Sequence, residues 1–369
     1  MNGLAHPYGT GEDRSFQRIS GLKLILRCDA GPIIGLGHVK RCIALAEWLD
    51  DKPVFALADT PLAVHELVHA AGYETIELPE SFGERVAALC NLGGDAIVLD
   101  IAHTRSRLSP ENMRQEIRAL LGLRLPTAFI DGVNTDALAD AELASAFSLC
   151  VRPYPGAAPE TKGRWLVGAD YFIVSPGLAR ASLTLRKIER QAKRILIATG
   201  GSDVGALGPR IVRELNTAPE QHFEVRVIVG PLVPDATRQA VHAEGTVSPH
   251  RVQIFEGRND LTADMRWCDM AVATTGLTKY ELALNAVPSV LISPDKQHEM
   301  NNRTFRDCDT ALDLGVAGSL PAGAIREACV RLAQNMPLRA RLSERSRTLI
   351  DGKGAPRFLS AVKSLIDAR

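Results

Sequence analysis

The strongest constraint in this chain is a repeated switch of hydrophobic period. Short, largely apolar runs alternate with stretches whose apolar residues recur every three to four positions, the pattern of strands followed by helices. KLILRC (23–28), PVFALA (53–58), AIVLDI (96–101), TAFID (127–131) and FSLCV (147–151) read as strands, with helical segments such as HVKRCIALAEWL between them. At SPGLARASLTLRKIERQAKR, from about residue 174, the alternation breaks. It then restarts with RILIAT, FEVRVIV, RVQIF, MAVA and PSVLI, and three helical stretches close the chain. Strands this apolar are buried on both faces by helices, so the expected class is α/β: two Rossmann-like, doubly wound domains with a cleft between them. The expected organisation is a flexible arm over 1–22, a first domain over 23–175 and a connection over 176–193. A second domain follows over 194–350, and a C-terminal helix over 351–369 can return to the first domain.

Length and composition agree with two cores. The chain has 369 residues, 46% of them hydrophobic, and 43 basic side chains balance 43 acidic ones. A formal charge of zero gives no field that would draw nucleic acid or an anionic membrane. The opening MNGLAHPYGTGEDRSFQRISG lacks the apolar core of a signal peptide, and no run approaches the ~18 apolar residues that span a bilayer. A cytoplasmic protein without a membrane span, monomeric or weakly oligomeric, is expected. Seven cysteines are scattered with no CxxC pair and no zinc-like spacing to histidine, which points to buried thiols in a reducing compartment and to no metal.

Ligands of doubly wound sheets bind outside the carboxyl ends of the strands, and three segments fall there. In RCDAGPIIGLGHVKR, Arg27, Asp29 and a turn built on Gly35 and Gly37 lead into a helix that begins with His38 and holds Arg41. The glycine spacing is not the dinucleotide G-x-G-x-x-G, so a nicotinamide cofactor is not expected. An imidazole at such a strand end can act as a general base, or it can simply hydrogen-bond its loop. TGGSD supplies Gly200, Gly201 and Ser202 as an anion-binding turn, with Asp203 either part of that site or a helix cap. VATTGLTKYE places Thr274, Thr275, Gly276, Leu277 and Thr278 at a helix start suited to a diphosphate, with Glu281 one turn on, in reach of ribose hydroxyls. The following loop adds Lys296, Gln297, His298, Asn301 and Asn302, which also read as an ordinary solvated helix start.

Taken together, these motifs resemble the PseG/SpsG-like UDP-sugar hydrolases of pseudaminic acid biosynthesis, relatives of the MurG-like glycosyltransferases. The likeness runs over roughly 23–310. It rests on R-x-D, the glycine-rich turn with G-x-G-H-x-x-R, ATGGSD, and TTGLTKYELALNAVPSVLI. The resemblance implies a GT-B fold with the nucleotide sugar between the domains, and neither metal nor cofactor. The implied reaction is removal of UDP from UDP-2,4-diacetamido-2,4,6-trideoxy-β-L-altrose by water attacking the anomeric carbon. It assigns His38 to the water, Asp29 to the sugar or the support of the site, Glu281 to the ribose, and Thr275 and Gly276 to the diphosphate. Arg27, Arg41, Asp100, His103, Gln297 and Asn301 complete the expected substrate contacts. Two positions depart from the family pattern. Ala102 and His103 stand where a tyrosine follows the aspartate, and Lys296-Gln297 replaces an Asn-Gln pair. A related sugar, another base, an inverting transfer to a carbohydrate acceptor, or a non-catalytic binding role therefore stay open.

Overall fold

The computed structural model describes residues 17–32, 34–101, 110–123, 125–130, 145–158, 163–258 and 260–369. His103 and most of the N-terminal arm lie outside the described residues. The first lobe carries a seven-stranded sheet of β1 (Leu24–Cys28), β2 (Val54–Leu57), β3 (Glu74–Glu77), β4 (Ala96–Asp100), β5 (Thr127–Ile130), β6 (Leu149–Arg152) and β7 (Trp165–Val167), in the order β3-β2-β1-β4-β5-β6-β7. The second carries six strands, β8 (Arg194–Ala198), β9 (Glu224–Val229), β10 (Arg251–Glu256), β11 (Met270–Ala273), β12 (Ser289–Ser293) and β13 (Leu312–Val316), in the order β10-β9-β8-β11-β12-β13. The strand pairs are parallel throughout. This is the GT-B architecture of two Rossmann-like lobes.

The central strands are those with the plainest sequence signal. Every residue of β1 and of β4 is buried, as apolar runs covered by helices on both faces should be. Three strands escape the hydrophobic pattern: β3 (ETIE), β7 (WLV) and β13 (LDLGV), all sheet edges and all only partly buried or exposed. Edge strands bury little, so they need no apolar run, and charged residues there discourage pairing with other chains.

Both sheets change winding direction at one place, between β1 and β4 in the first and between β8 and β11 in the second. A ligand crevice opens at such a switch point. In the first sheet the register sets Cys28 beside Asp100, so the chain leaves both strands at the same height.

The lobes are not independent beads. One apolar cluster includes Leu36, Trp48 and Phe172 from the first lobe with Tyr280 and Phe305 from the second, and Tyr280 stacks on Phe172 at 4.4 Å between centroids. After the helix Pro176–Ser182 the connection is clamped to the second lobe. Arg186 donates to the backbone carbonyls of Asn285, Cys268 and Met265, and the buried Arg339 donates to those of Glu189 and Arg190. The helix Gly354–Asp367 crosses back to the first lobe, where Arg357 donates to Asp170 O at 2.7 Å and Lys363 to Ser20 O at 3.0 Å. Five of the seven cysteines are buried, and all are free thiols. Among the described residues no helix is long and apolar enough to cross a membrane.

Candidate active site

The carboxyl end of β4 delivers Asp100 to the switch point with no exposed surface. A buried carboxylate must be paired, and two side chains converge on this one. Arg41 grips it with two bonds, Nε to Oδ2 at 2.6 Å and Nη2 to Oδ1 at 2.5 Å, and His38 Nδ1 meets Oδ1 at 2.6 Å. Both come from the helix Gly37–Ala46, where a spacing of three places His38 and Arg41 on one face. Burial alone would raise the Asp100 pKa, but the charges and hydrogen bonds of Arg41, and then of His38, outweigh it and hold the carboxyl below its ordinary range. With Asp100 ionised, Nδ1 of His38 is the donor, which leaves Nε2 as the nitrogen with a lone pair. The His38 side chain keeps 20% of its surface accessible. Arg41 Nη1 also donates to the Tyr154 hydroxyl at 2.6 Å, and Tyr154 lies against Tyr280 of the second lobe.

Asp29 takes a different place. Its carboxylate accepts from Arg27 Nη1 at 2.6 Å, and both side chains are buried at the end of β1. The loop after them closes on itself through mutual backbone bonds between Gly31 and Gly35 at 3.1 and 2.6 Å. That closure turns the chain into the start of the helix and presents Gly35, Leu36 and Gly37 to the cleft.

The facing wall is built mainly from backbone. Gly200, Gly201 and Ser202 follow β8, and residues 274–278 follow β11, all lining one cavity of about 290 Å³ that Asn301 also borders. That volume lies at the lower end of small-molecule sites. Gly276 has φ +118°, a conformation that side chains resist, and it directs the chain into the helix Leu277–Leu284, whose first residues line the cavity. Thr274 bonds Thr199 O at 3.0 Å, tying the two strand ends together. Asp203 accepts from Leu207 N at 3.0 Å and Gly208 N at 2.9 Å, so its carboxylate caps the helix Leu207–Leu215. At Gly201 a Cβ would come within 2.8 Å of the Leu36 side chain, so glycine here lets the lobes touch.

Glu281 sits one turn along the helix Leu277–Leu284, and burial raises its pKa, with the charge of Asp260 adding to the rise. Lys40 of the first lobe is the cation that opposes this rise, and Lys40 also lines the cavity. Behind this wall Lys279 is buried, donating to Asn301 O and Asn302 Oδ1, both at 2.9 Å, and burial lowers its pKa to about 7. Gln297 falls in the first turn of the helix Lys296–Asp307, whose cap is Asp295. The structure thus brings His38, Arg41 and Asp100 into one cluster, Arg27 and Asp29 into a second, and the two glycine-rich turns into the facing wall. Sequence reading passed over Tyr154, Lys40, Lys279 and Arg258 as site residues. Only Tyr154 carried a signal, a lone aromatic in the turn RPYPG at the end of a strand.

No family model matches the chain. It is 29% identical over 203 residues to the spore coat polysaccharide biosynthesis protein SpsG of Bacillus subtilis (strain 168), a match covering 54% of this chain and 58% of that relative's length. Among solved structures it resembles MurG of Acinetobacter baumannii with a TM-score of 0.65 and 15% identity, over 93% of this chain and 99% of that one. It also resembles Anabaena HepE, solved with UDP and glucose, with a TM-score of 0.58 and 14% identity, over 93% and 100% of the two chains. The chain is thus similar to SpsG over about half its length and carries a GT-B fold like that of MurG.

Proposed function

We propose that the protein hydrolyses a nucleotide sugar, releasing UDP from a UDP-linked 2,4-diacetamido-2,4,6-trideoxyhexose-type sugar in bacterial surface-glycan (nonulosonic acid) biosynthesis. The observation that carries this reading is the bond from His38 Nδ1 to the buried Asp100, itself locked by Arg41. An imidazole oriented in this way presents Nε2 as a base. Nε2 takes a proton from water as the water oxygen bonds to the anomeric carbon. The bond from that carbon to the β-phosphate oxygen breaks, and UDP departs with the electron pair. Charge then grows on the diphosphate, where the turn 200–202 and the N-terminus of the helix Leu277–Leu284 offer N–H groups. Glu281 is assigned to the ribose hydroxyls, and Asp29, held by Arg27, to the support of the sugar side. SpsG is named for polysaccharide synthesis and HepE was solved with UDP, and both fit this substrate class.

A second reading, an inverting transfer to a carbohydrate hydroxyl, uses the same base and is favoured by the likeness to MurG and HepE. One incubation separates the two: purified protein with the UDP-sugar and no acceptor. Hydrolysis yields free sugar and UDP in equal amounts. No release, with an added carbohydrate becoming glycosylated instead, removes the hydrolase reading. Glu281→Ala should weaken UDP binding, and unchanged affinity would take Glu281 off the ribose.

A further inference from the structure

The cleft holds a cation with no assigned task. Arg258 lies just past β10, and its side chain lines the cavity beside Leu261. Two contacts hold the guanidinium. Its Nη1 donates to Asp264 Oδ2 at 2.5 Å, and its Cζ stands 3.8 Å from the centre of the Phe255 ring. Asp264 is fully buried, and its other oxygen accepts from Arg226 Nη1 at 2.9 Å. Arg226 is in turn fixed over Trp267, 4.0 Å from the ring centre. Two guanidinium groups share one carboxylate, so the array keeps one net positive charge. Arg258 is its more exposed end, at 32% against 22% for Arg226. A planar donor braced on one face and one edge is pre-organised to bond with its remaining edge.

The position of that edge along a bound nucleotide follows from its neighbours, given the nucleotide reading proposed above. The diphosphate belongs at 275–277 and the ribose one helical turn further, at Glu281. Asp260, two residues past Arg258, is near enough for its charge to act on both Glu281 and Lys40. The loop holding Arg258 therefore lies on the Glu281 side of the cavity, where a base carried by a ribose at Glu281 can reach it.

We infer that Arg258 is a specificity-determining residue that reads the nucleobase by donating to the carbonyl oxygen at C4 of uracil. Arginine has donors only. Uracil offers an acceptor at C4, whereas cytosine carries an amino donor there, so the guanidinium pairs with the first and leaves two donors opposed with the second.

The test is calorimetric titration of UDP and CDP into the full-length protein, its Arg258→Met variant and its Arg258→Gln variant, at one ionic strength. The wild type should favour UDP by about tenfold or more. In Arg258→Met the preference should fall to within about threefold, through weaker UDP binding with little change for CDP. Gln both donates and accepts, so Arg258→Gln should also lose the preference, and it carries the test if the methionine variant does not fold. Equal weakening of UDP and CDP would make Arg258 a phosphate contact and overturn the inference. A wild type that binds both equally, or prefers CDP, overturns it too. Failure of the wild type to bind any of the two nucleotides is a different result: it removes the nucleotide reading itself, and this assignment with it.

Discussion

The two walls of the cleft solve the problem of a polar site in opposite ways. The first keeps its chemistry in side chains, with His38, Arg41, Tyr154 and Asp100 joined in one network that adjoins the lining residues 34–37 without being among them. The second concentrates it in backbone, where glycines and helix starts face the cavity while Asp203 and Thr274 are occupied with capping and tying strand ends. A side-chain network can move protons, and a backbone cradle can only hold charge. Damage to the first should therefore appear in turnover and folding, and damage to the second in ligand affinity.

The sharpest test of that division is Asp100→Ala. It leaves Arg41, buried against it, without its counter-charge, so chemical denaturation should show a loss of about 3–5 kcal/mol along with loss of turnover. A stable, active variant would dissolve the network as an idea. His38→Asn comes next: turnover falls on the order of 10²-fold or more for a lost base, while UDP affinity measured by titration stays within about twofold. Normal turnover would return His38 to a histidine that only bonds its loop. On the other wall, Gly276→Ala forces a side chain into φ +118° at a strain of about 1–3 kcal/mol, and UDP affinity should drop with it. If only the rate changed, the backbone wall would be doing more than holding.

An effect confined to pH dependence concerns Lys279, whose pKa is lowered to about 7 from an ordinary 10.5 by burial. Between those values the unfolded chain binds a proton that the folded chain does not, so stability from this group rises with pH across the window and is flat below it. The slope is about 1.4 kcal/mol per pH unit, and Lys279→Met should abolish it in urea melts compared between pH 7 and 9. Parallel curves for both proteins would show that burial does not govern this lysine.

Much of the fold was legible because buried parallel strands have to be apolar, and β1, β4, β8 and β11 are. The edges β3, β7 and β13 were not, since strands that bury little carry no such mark. The glycine-rich turns were legible for a similar local reason: a close backbone approach demands small residues in sequence. What could not be read was pairing. His38 and Asp100 lie 62 residues apart, Arg41 and Tyr154 are 113 apart, and only the sheet order brings them together. Likewise Arg258 in GRND looks like any loop arginine until Asp264 and Phe255 surround it.

The return of the helix Gly354–Asp367 has a mechanical consequence. Where the chain crosses back, a side chain at Gly354 would strike Phe172 O at 2.2 Å, and one at Gly352 would meet Ala179 at 3.3 Å. The outgoing and returning crossings therefore run pressed together as one seam. The lobes meet along this seam and again where Leu36 rests on Gly201 at the mouth of the cleft, so any rotation about the seam has to break that second contact. A cysteine pair across that mouth should trap the closed form and slow product release, while the same pair placed beside the seam should leave the rate unaltered.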